Sequence, residues 1–175
     1  MTYLLPTTPI TNEAEALKAA RASAIAIFIG VVVGIIGAIW TLMNPQFAEA
    51  VAAAQAQMQG GNTEAASMSA GGAKVGEYVG YALLVVSAVF GIVQWKKPAK
   101  WIAILFMVLI VLFGLLPTAC AQVLSGMVPG MPSAPVWLTA LSVVSLIVQF
   151  ILHITGLKGI SRLDKIQLDA ANAGY

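Results

Sequence analysis

The sequence predicts an all-α integral membrane protein. It is one domain (residues 1–175) of four transmembrane helices, with both termini cytoplasmic and a short outer helix after the first span. Composition is the first reason, since 59% of the 175 residues are hydrophobic, 9% are charged and the mean hydropathy is +0.90. A soluble domain carries about 25% charged residues to wet its surface, so lipid must be the main solvent here. Soluble enzymes, nucleic-acid-binding proteins and disordered chains are therefore disfavoured as classes, and a net charge of +2 predicts no polyanionic partner.

Four apolar runs are the second reason. Each approaches the ~20 residues that cross a hydrocarbon core as a helix, and none contains Asp, Glu, Lys or Arg. Tryptophan and tyrosine residues stand near their ends, where amphipathic rings favour the membrane interface. The predicted spans cover residues 23–43, 78–95, 101–121 and 136–157.

The basic residues are the third reason, and they predict the orientation. Eight of the nine lysines and arginines flank the spans on one side, and Lys74 alone lies on the other. The positive-inside rule assigns the richer side to the cytoplasm, which places both termini and the tail at 158–175 there. The connection at 44–77 is then an outer loop.

Two asparagines mark predicted helix starts outside the spans. Asn12, with Glu15 three residues later, has the pattern of a capping box and predicts a short cytoplasmic helix that leads into the first span. Asn44 followed by Pro45 predicts a second start, and the spacing of the apolar residues that follow predicts a short outer helix. The Gly- and Ser-rich stretch 60–76 has no periodicity and predicts a flexible loop.

The third connection and the tail differ in their predicted order. Residues 125–135 include three prolines, each of which fixes φ and removes a donor, so we expect a stiff, non-helical outer cap. The tail at 158–175 alternates apolar and charged residues, which is typical of an amphipathic helix along the inner leaflet. Lys158 and Arg162 would then favour anionic headgroups. A frayed, solvated tail is the equal alternative.

Small residues recur at helical spacing and predict the packed faces of the spans. Lipid chains are as apolar as leucine, so close approach at small residues and hydrogen bonds bring spans together. At 100° per residue, the small residues of the first span lie within about 80° of one another. The third span is smoother, and we expect it to face more lipid. The predicted helix-packing residues are Ser23, Ala26, Gly30, Gly34, Gly37 and Thr41 in the first span, Gly80, Ser87 and Gly91 in the second, and Thr139, Ser142, Ser145, Gln149 and His153 in the fourth.

Groups able to carry chemistry are few. Ionisable residues inside a membrane usually mark function, and here Glu77 lies at one span boundary and His153 one turn inside another. We interpret Glu77 as an interfacial carboxylate and His153 as a neutral imidazole bonded to a neighbouring helix. A bis-histidine haem needs a second histidine, a zinc site needs three or four ligands, and Cys120 has no base at hand. We predict no catalytic, cofactor-binding or metal-binding residue, and an enzyme is the least expected class.

These features favour a non-catalytic accessory, assembly or stabilising subunit of a larger membrane complex. Its expected partners are the lipid bilayer and other membrane protein subunits, or copies of itself. The alternative is a small oligomeric channel or facilitator in which the polar face of the fourth span lines the path. A lone cysteine allows no intrachain disulfide, and no Asn-x-Ser/Thr sequon occurs. Together with the Ala-, Gly- and Val-rich composition, this favours a bacterial inner membrane.

Overall fold

The computed structural model describes residues 6–58, 63–116, 118–120, 123 and 133–174. It is 88% helical and has no strand among these residues, as expected of an all-α protein. A π-helical segment, Ile110–Leu115, continues the fifth α-helix. The α-helices are α1 (Glu13–Ala20), α2 (Ala22–Met43), α3 (Pro45–Met58), α4 (Thr63–Lys96), α5 (Lys100–Leu109) and α6 (Val136–Ala173).

Four helical stretches are long and apolar enough to cross a membrane, which confirms the number of predicted spans. Each contains most or all of one predicted apolar run, and the first and last also extend into polar sequence. The protein is thus a multi-pass membrane protein. The four stretches are Glu13–Met43, Tyr78–Lys96, Lys100–Cys120 and Val136–Ala173.

The predicted cap of the first helix is confirmed. Asn12 Oδ1 accepts a hydrogen bond from the Glu15 backbone N–H (3.0 Å), which satisfies one of the free donors at a helix start. The Glu15 carboxylate reaches one residue further back than in a capping box, because its Oε2 accepts from both the N–H and the hydroxyl of Thr11 (2.8 and 2.7 Å). These bonds fix the start of α1, which ends at Ala20, and Arg21 alone separates it from the start of α2 at Ala22.

The chain follows the prediction at the end of α2 and departs from it soon afterwards. α2 ends just before Asn44 and α3 begins at Pro45, while Asn44 Nδ2 donates to the Trp40 carbonyl (2.8 Å). The predicted loop at 60–76 is wrong over its described part, because α4 begins at Thr63. Glycines there cost about 1 kcal/mol each in a helix. A helix already formed by the second span nevertheless propagates more readily than a new helix nucleates.

The third span changes from an α-helix to a π-helix, which the sequence patterns did not predict. After α5 it widens into the π-helical segment, and Pro117, which carries no N–H, follows two residues after that segment ends. The Thr118 hydroxyl donates to the Gly114 carbonyl (2.7 Å) and so supplies a partner within the irregular turn. π-Bulges inside helices often occur at functional sites. The cap predicted at 125–135 lies mostly outside the described residues.

The fourth span and the tail form one helix, α6. Its 38 residues make it about 57 Å long at 1.5 Å per residue, almost twice the ~30 Å of a hydrocarbon core. The helix predicted for the tail is confirmed, although it continues the fourth span without a break, and the alternative of a frayed tail is wrong, because the helix runs to Ala173. Packing explains this order: Ile160 is 2% exposed, and Lys100 forms an ion pair with Asp164 (2.8 Å).

The second and third spans differ from expectation in how much they bury. In the most apolar 18-residue stretch of each span, 11% of the residues are buried in the second span and 24% in the third. The third span is less buried than the first (28%) and the fourth (33%), as expected, but it is more buried than the second, so the expectation is wrong for that pair. The third span contributes Ile102 and Phe106 to a buried cluster with Ile27 of α2. Large side chains can bury a span as effectively as small residues do. A prediction based only on the spacing of small residues therefore misses such contacts.

Candidate functional site

One end of the bundle is closed by direct contact between helix backbones, where α6 crosses α1 and the start of α2. A Cβ at Gly156 would lie 2.5 Å from the Ser23 Cβ and 2.9 Å from its backbone N. A Cβ at Gly159 would meet the backbone of Ala20 even more closely. Only glycine fits at these two positions without a shift of the neighbouring backbone. We call this region, defined by Ser23, His153, Gly156 and Gly159, the closed end.

The closed end contains a buried polar pair. Ser23 Oγ and His153 Nδ1 lie 2.8 Å apart, and both residues are 0% exposed. The hydroxyl donates if Nδ1 is unprotonated and accepts if Nδ1 carries the proton. Phe106 stacks on the imidazole with 6.1 Å between ring centroids, and His153 Nε2 has no hydrogen-bond partner among the described residues. The pair joins the first span to the fourth and leaves one ring nitrogen unpaired.

Residues at the end of the second span make two further contacts close to the closed end. The Arg21 guanidinium carbon lies 5.2 Å from the centre of the Trp95 ring, a cation–π contact worth about 0.5–2 kcal/mol. Gln94 is 0% exposed, and its Oε1 accepts from the Ala99 N–H (3.0 Å). This bond fixes the short turn between α4 and α5, so the third span enters the bundle in a defined place.

A second polar contact lies one helical turn along α6 from His153. Gln149 Nε2 donates to Ser145 Oγ (2.9 Å), and the two residues are 7% and 6% exposed. A Cβ on Gly30 would lie 2.5 Å from Gln149 Oε1, so this glycine makes room for an amide. Gly34, in contrast, faces the side chain of Leu84 in α4. The two glycines of the predicted Gly30-to-Gly34 motif therefore contact different helices.

A cavity of about 410 Å³ lies between α2, α4, the third span and α6. Ligand pockets in proteins are typically about 300–1,000 Å³ and combine an apolar wall with a few polar groups. Toward the closed end, Ile27 (1% exposed) and Phe106 (8% exposed) belong both to the cavity wall and to the buried cluster beneath it. The cavity is thus blocked on that side. The polar side chains on its wall include Ser87, Ser142, Ser145 and Gln149.

The opposite end of the bundle is open between the first and second spans. Among the residues that the structure describes, a Cβ at Gly37, Gly76 or Gly80 would meet nothing within 4 Å. We call the region of these three glycines the open end. The same two helices do touch nearer the closed end, where a Cβ on Gly91 would lie 2.8 Å from the Phe28 ring. The predicted stripes of small residues are therefore filled at one end and unfilled at the other.

The remaining predicted packing residues have separate surroundings. Ala26 is 0% exposed and packs against Leu152 of α6. The Thr41 hydroxyl donates to the Gly37 carbonyl of its own helix (3.0 Å), so it bridges no helices through that bond. Thr139 is half-buried. The structure thus brings Ser23, Ala26, Gly30, Gln149 and His153 to one interface and leaves Thr41 away from it.

The sequence patterns missed Gly159 of the closed end and Phe106, which packs beside it. Gly159 lies three residues after Gly156 and continues the small-residue stripe of the fourth span, but the predicted span ended at 157, where the first charge follows. Extending the stripe past that charge would have found it. Phe106 carried no signal, because it is one of many large apolar residues in the third span.

The described groups are suited to hydrogen bonding and apolar contact. A serine hydroxyl beside a histidine also occurs in nucleophilic catalysis, but Ser23 and His153 are both fully buried and out of reach of a substrate. Within the described ranges, no group of three or more His, Cys, Asp or Glu is placed to hold a metal ion. No family model, curated protein or solved structure matches this chain, which leaves its own residues to indicate the function.

Proposed function

We propose that this protein is a non-catalytic accessory, assembly or stabilising subunit of a larger membrane complex. The observation that carries the proposal is the unfilled open end. Gly80 belongs to the least buried span and Gly76 lies just before it, and among the described residues a Cβ at either position would meet nothing within 4 Å. Small residues mark the places where membrane helices approach one another closely. A helix of another subunit would fill this face and gain contacts that the described residues of this chain do not supply.

The closed end supports the same role from the other side of the bundle. Its glycines and the Ser23–His153 pair hold the first and fourth spans together without a partner. A subunit that stabilises others needs a firm framework of its own, because a partner that must also order its neighbour gains less on binding. The open end is then presented on a framework that is already packed.

The alternative, a small channel or facilitator, has weaker support. It needs a continuous polar path, and the polar face of the fourth span does turn toward the cavity at Ser142, Ser145 and Gln149. Ile27 and Phe106 block that cavity toward the closed end. A conduit would require these two side chains to move, whereas a subunit role requires no rearrangement.

A test of the subunit role compares two glycines of the same helix. Gly80→Leu adds a side chain where the chain has open space, and Gly91→Leu adds one against Phe28. After gentle solubilisation, we expect the wild type to co-purify with larger membrane proteins at fixed stoichiometry, as seen by mass spectrometry. Gly80→Leu should lose those partners and keep its own thermal stability, whereas Gly91→Leu should lower its own stability.

Two outcomes would contradict this proposal. A symmetric homo-oligomer without other proteins would favour the channel alternative. Retention of all partners by Gly80→Leu would show that the open end is not the docking face. The Gly91→Leu variant is the matched control, because it introduces the same side chain into the same span.

We further propose that the protein lies in a bacterial inner membrane with both termini in the cytoplasm and α3 on the outer side. The asymmetric distribution of lysine and arginine supports this orientation. In a Cys120→Ser background, single cysteines at Ser67 and at Ala171 should label differently in intact cells. A membrane-impermeant reagent should reach position 67 and not position 171. The reverse pattern would overturn the orientation, and labelling at both would overturn the even number of crossings.

A further inference from the structure

A second cavity, of about 320 Å³, lies where the N-terminal segment meets the extension of α6 beyond the fourth apolar run. Its volume is at the lower end of the range typical of ligand pockets. Three cationic side chains of α6 stand at i, i+4 and i+7, which places them on one helix face. We call this cavity the basic pocket. It is lined by Pro9, Ile10, Lys158, Ser161, Arg162 and Lys165.

The charges of the basic pocket are not balanced by its own wall, because none of the described residues that line it is acidic. The nearby carboxylates have other partners. Asp164 forms its ion pair with Lys100 (2.8 Å), and Glu13 accepts a hydrogen bond from Gln167 (3.3 Å). Like charges that share a cavity repel one another, so the pocket is favourable for an anion.

The hydrogen-bond donors of the basic pocket are also in excess. Lys158 Nζ donates to the carbonyls of Pro6 (2.7 Å) and Thr8 (2.9 Å), which position the ammonium but leave its charge in place. Arg162 Nε is buried and has no hydrogen-bond partner in the part of the chain that the structure describes. A buried donor without an acceptor is costly. An oxyanion in the pocket would supply that acceptor together with the missing negative charge.

The position of the basic pocket selects the source of the anion. Lys158 is the first charged residue after the fourth apolar run, so the pocket lies at the depth where lipid headgroups begin. Pro9 and Ile10 add an apolar wall. Basic pockets at the ends of membrane helices are typical binding sites for anionic headgroups. We propose that the basic pocket binds the phosphate group of an anionic membrane lipid.

The test compares two double variants that each remove two positive charges. Arg162→Gln with Lys165→Gln changes the pocket, and Lys96→Gln with Lys97→Gln changes exposed residues outside it. The full chain is purified in detergent and titrated with phosphatidylglycerol or phosphatidylcholine, and native mass spectrometry counts the bound lipid. The pocket variant should bind phosphatidylglycerol on the order of 30-fold more weakly, at about fivefold per charge near a lipid surface. The control variant should bind it like the wild type.

Further measurements distinguish a lipid headgroup from free phosphate and define the results that would overturn the proposal. Equal phosphatidylglycerol affinity in both double variants, or equal affinity of the wild type for both lipids, would overturn the proposal. Inorganic phosphate that raises the melting temperature as much as phosphatidylglycerol, and competes with it, would overturn the assignment to a lipid. If the pocket variant is not monodisperse, Lys165→Gln is compared with Lys97→Gln, and about a fivefold loss is expected. The isolated chain suffices, so the result does not depend on the proposed subunit role.

Discussion

The closed end and the open end are built from the same kinds of residue and are packed in opposite ways. At the closed end, Gly156 and Gly159 bring α6 onto the backbones of α2 and α1. At the open end, Gly37 and Gly80 have open space where a neighbouring helix would lie. The comparison teaches that a stripe of small residues marks a surface able to pack closely. It does not say whether the same chain fills that surface.

The difference between the two ends comes from segments outside the four predicted apolar runs. α1 and the extension of α6 pack on each other beyond the closed end, where Ala16, Ala19 and Ile160 are buried. The Asn12 cap fixes the start of α1, and the Lys100–Asp164 ion pair ties the extension to α5. Among the described residues of the open end, only the short α3 packs on the ends of α2 and α4 from outside the apolar runs.

The largest expected loss of stability comes from adding a single methyl group at the closed end. Gly159→Ala adds one methyl group against the Ala20 backbone, and overpacking costs about 1–3 kcal/mol, here toward the upper end because a backbone cannot rotate away. Alanine gains up to about 1 kcal/mol over glycine in helix propensity, which is too little to compensate. Thermal unfolding in detergent should show a clear loss of stability.

Gly80→Ala is the matched control for that substitution. Its methyl group meets nothing within 4 Å, so only the propensity gain of up to about 1 kcal/mol remains. The melting temperature of the isolated chain should stay the same or rise. Equal losses at positions 159 and 80 would remove the distinction between the ends.

The next effect concerns the buried pair of the closed end. Ser23→Ala leaves His153 with neither ring nitrogen paired, which should cost about 1–3 kcal/mol. His153→Leu should cost less, because the Ser23 hydroxyl can bond back to a carbonyl of its own helix. Unfolding of both single variants and of the double variant measures the coupling between them. Additive effects would show that the 2.8 Å contact contributes nothing to stability.

The smallest expected loss lies between the two ends. Gly34→Leu forces the Leu84 side chain aside, and because that side chain is flexible, the cost should fall near the lower limit of about 1–3 kcal/mol. Val32→Leu is the control, since Val32 is 56% exposed and one apolar residue then replaces another against lipid. Assembly and melting temperature in detergent should change for Gly34→Leu only. Negligible effects at both positions would show that the stripe of small residues reflects the glycine-rich composition of the chain and not a packed face.

Local chemistry decided which parts of the fold were predictable from the sequence. Four apolar runs without charge and the helix signals at Asn12 and Asn44 act within a few residues, so they could be recognised directly. The helix over 63–76 and the uninterrupted α6 depend on propagation and packing from distant segments. Local patterns at Gly71 and Lys158 pointed to a loop and a boundary instead.

The candidate site was predictable only in part, for the same reason. The polar stripe of the fourth span located Gln149 and His153, because hydroxyl, amide and imidazole groups stand out in an apolar run. Their partners could not be assigned, since the spacing that aligns Gly30 with Gly34 on one helix does not say which neighbour each faces. Phe106, which stacks on the imidazole, has no distinguishing pattern.

The continuity of α6 gives the molecule a lever. The crossing at Gly156 and Gly159 acts as its fulcrum, with an arm of about 30 Å toward Val136 and one of about 20 Å toward Ala173, at 1.5 Å per residue. Because the helix is unbroken between those residues, the two arms do not move independently. A tilt of 10° about the fulcrum would displace the arm tips by roughly 5 Å and 4 Å in opposite directions. A partner that tilted the tail would therefore also displace the wall of the cavity.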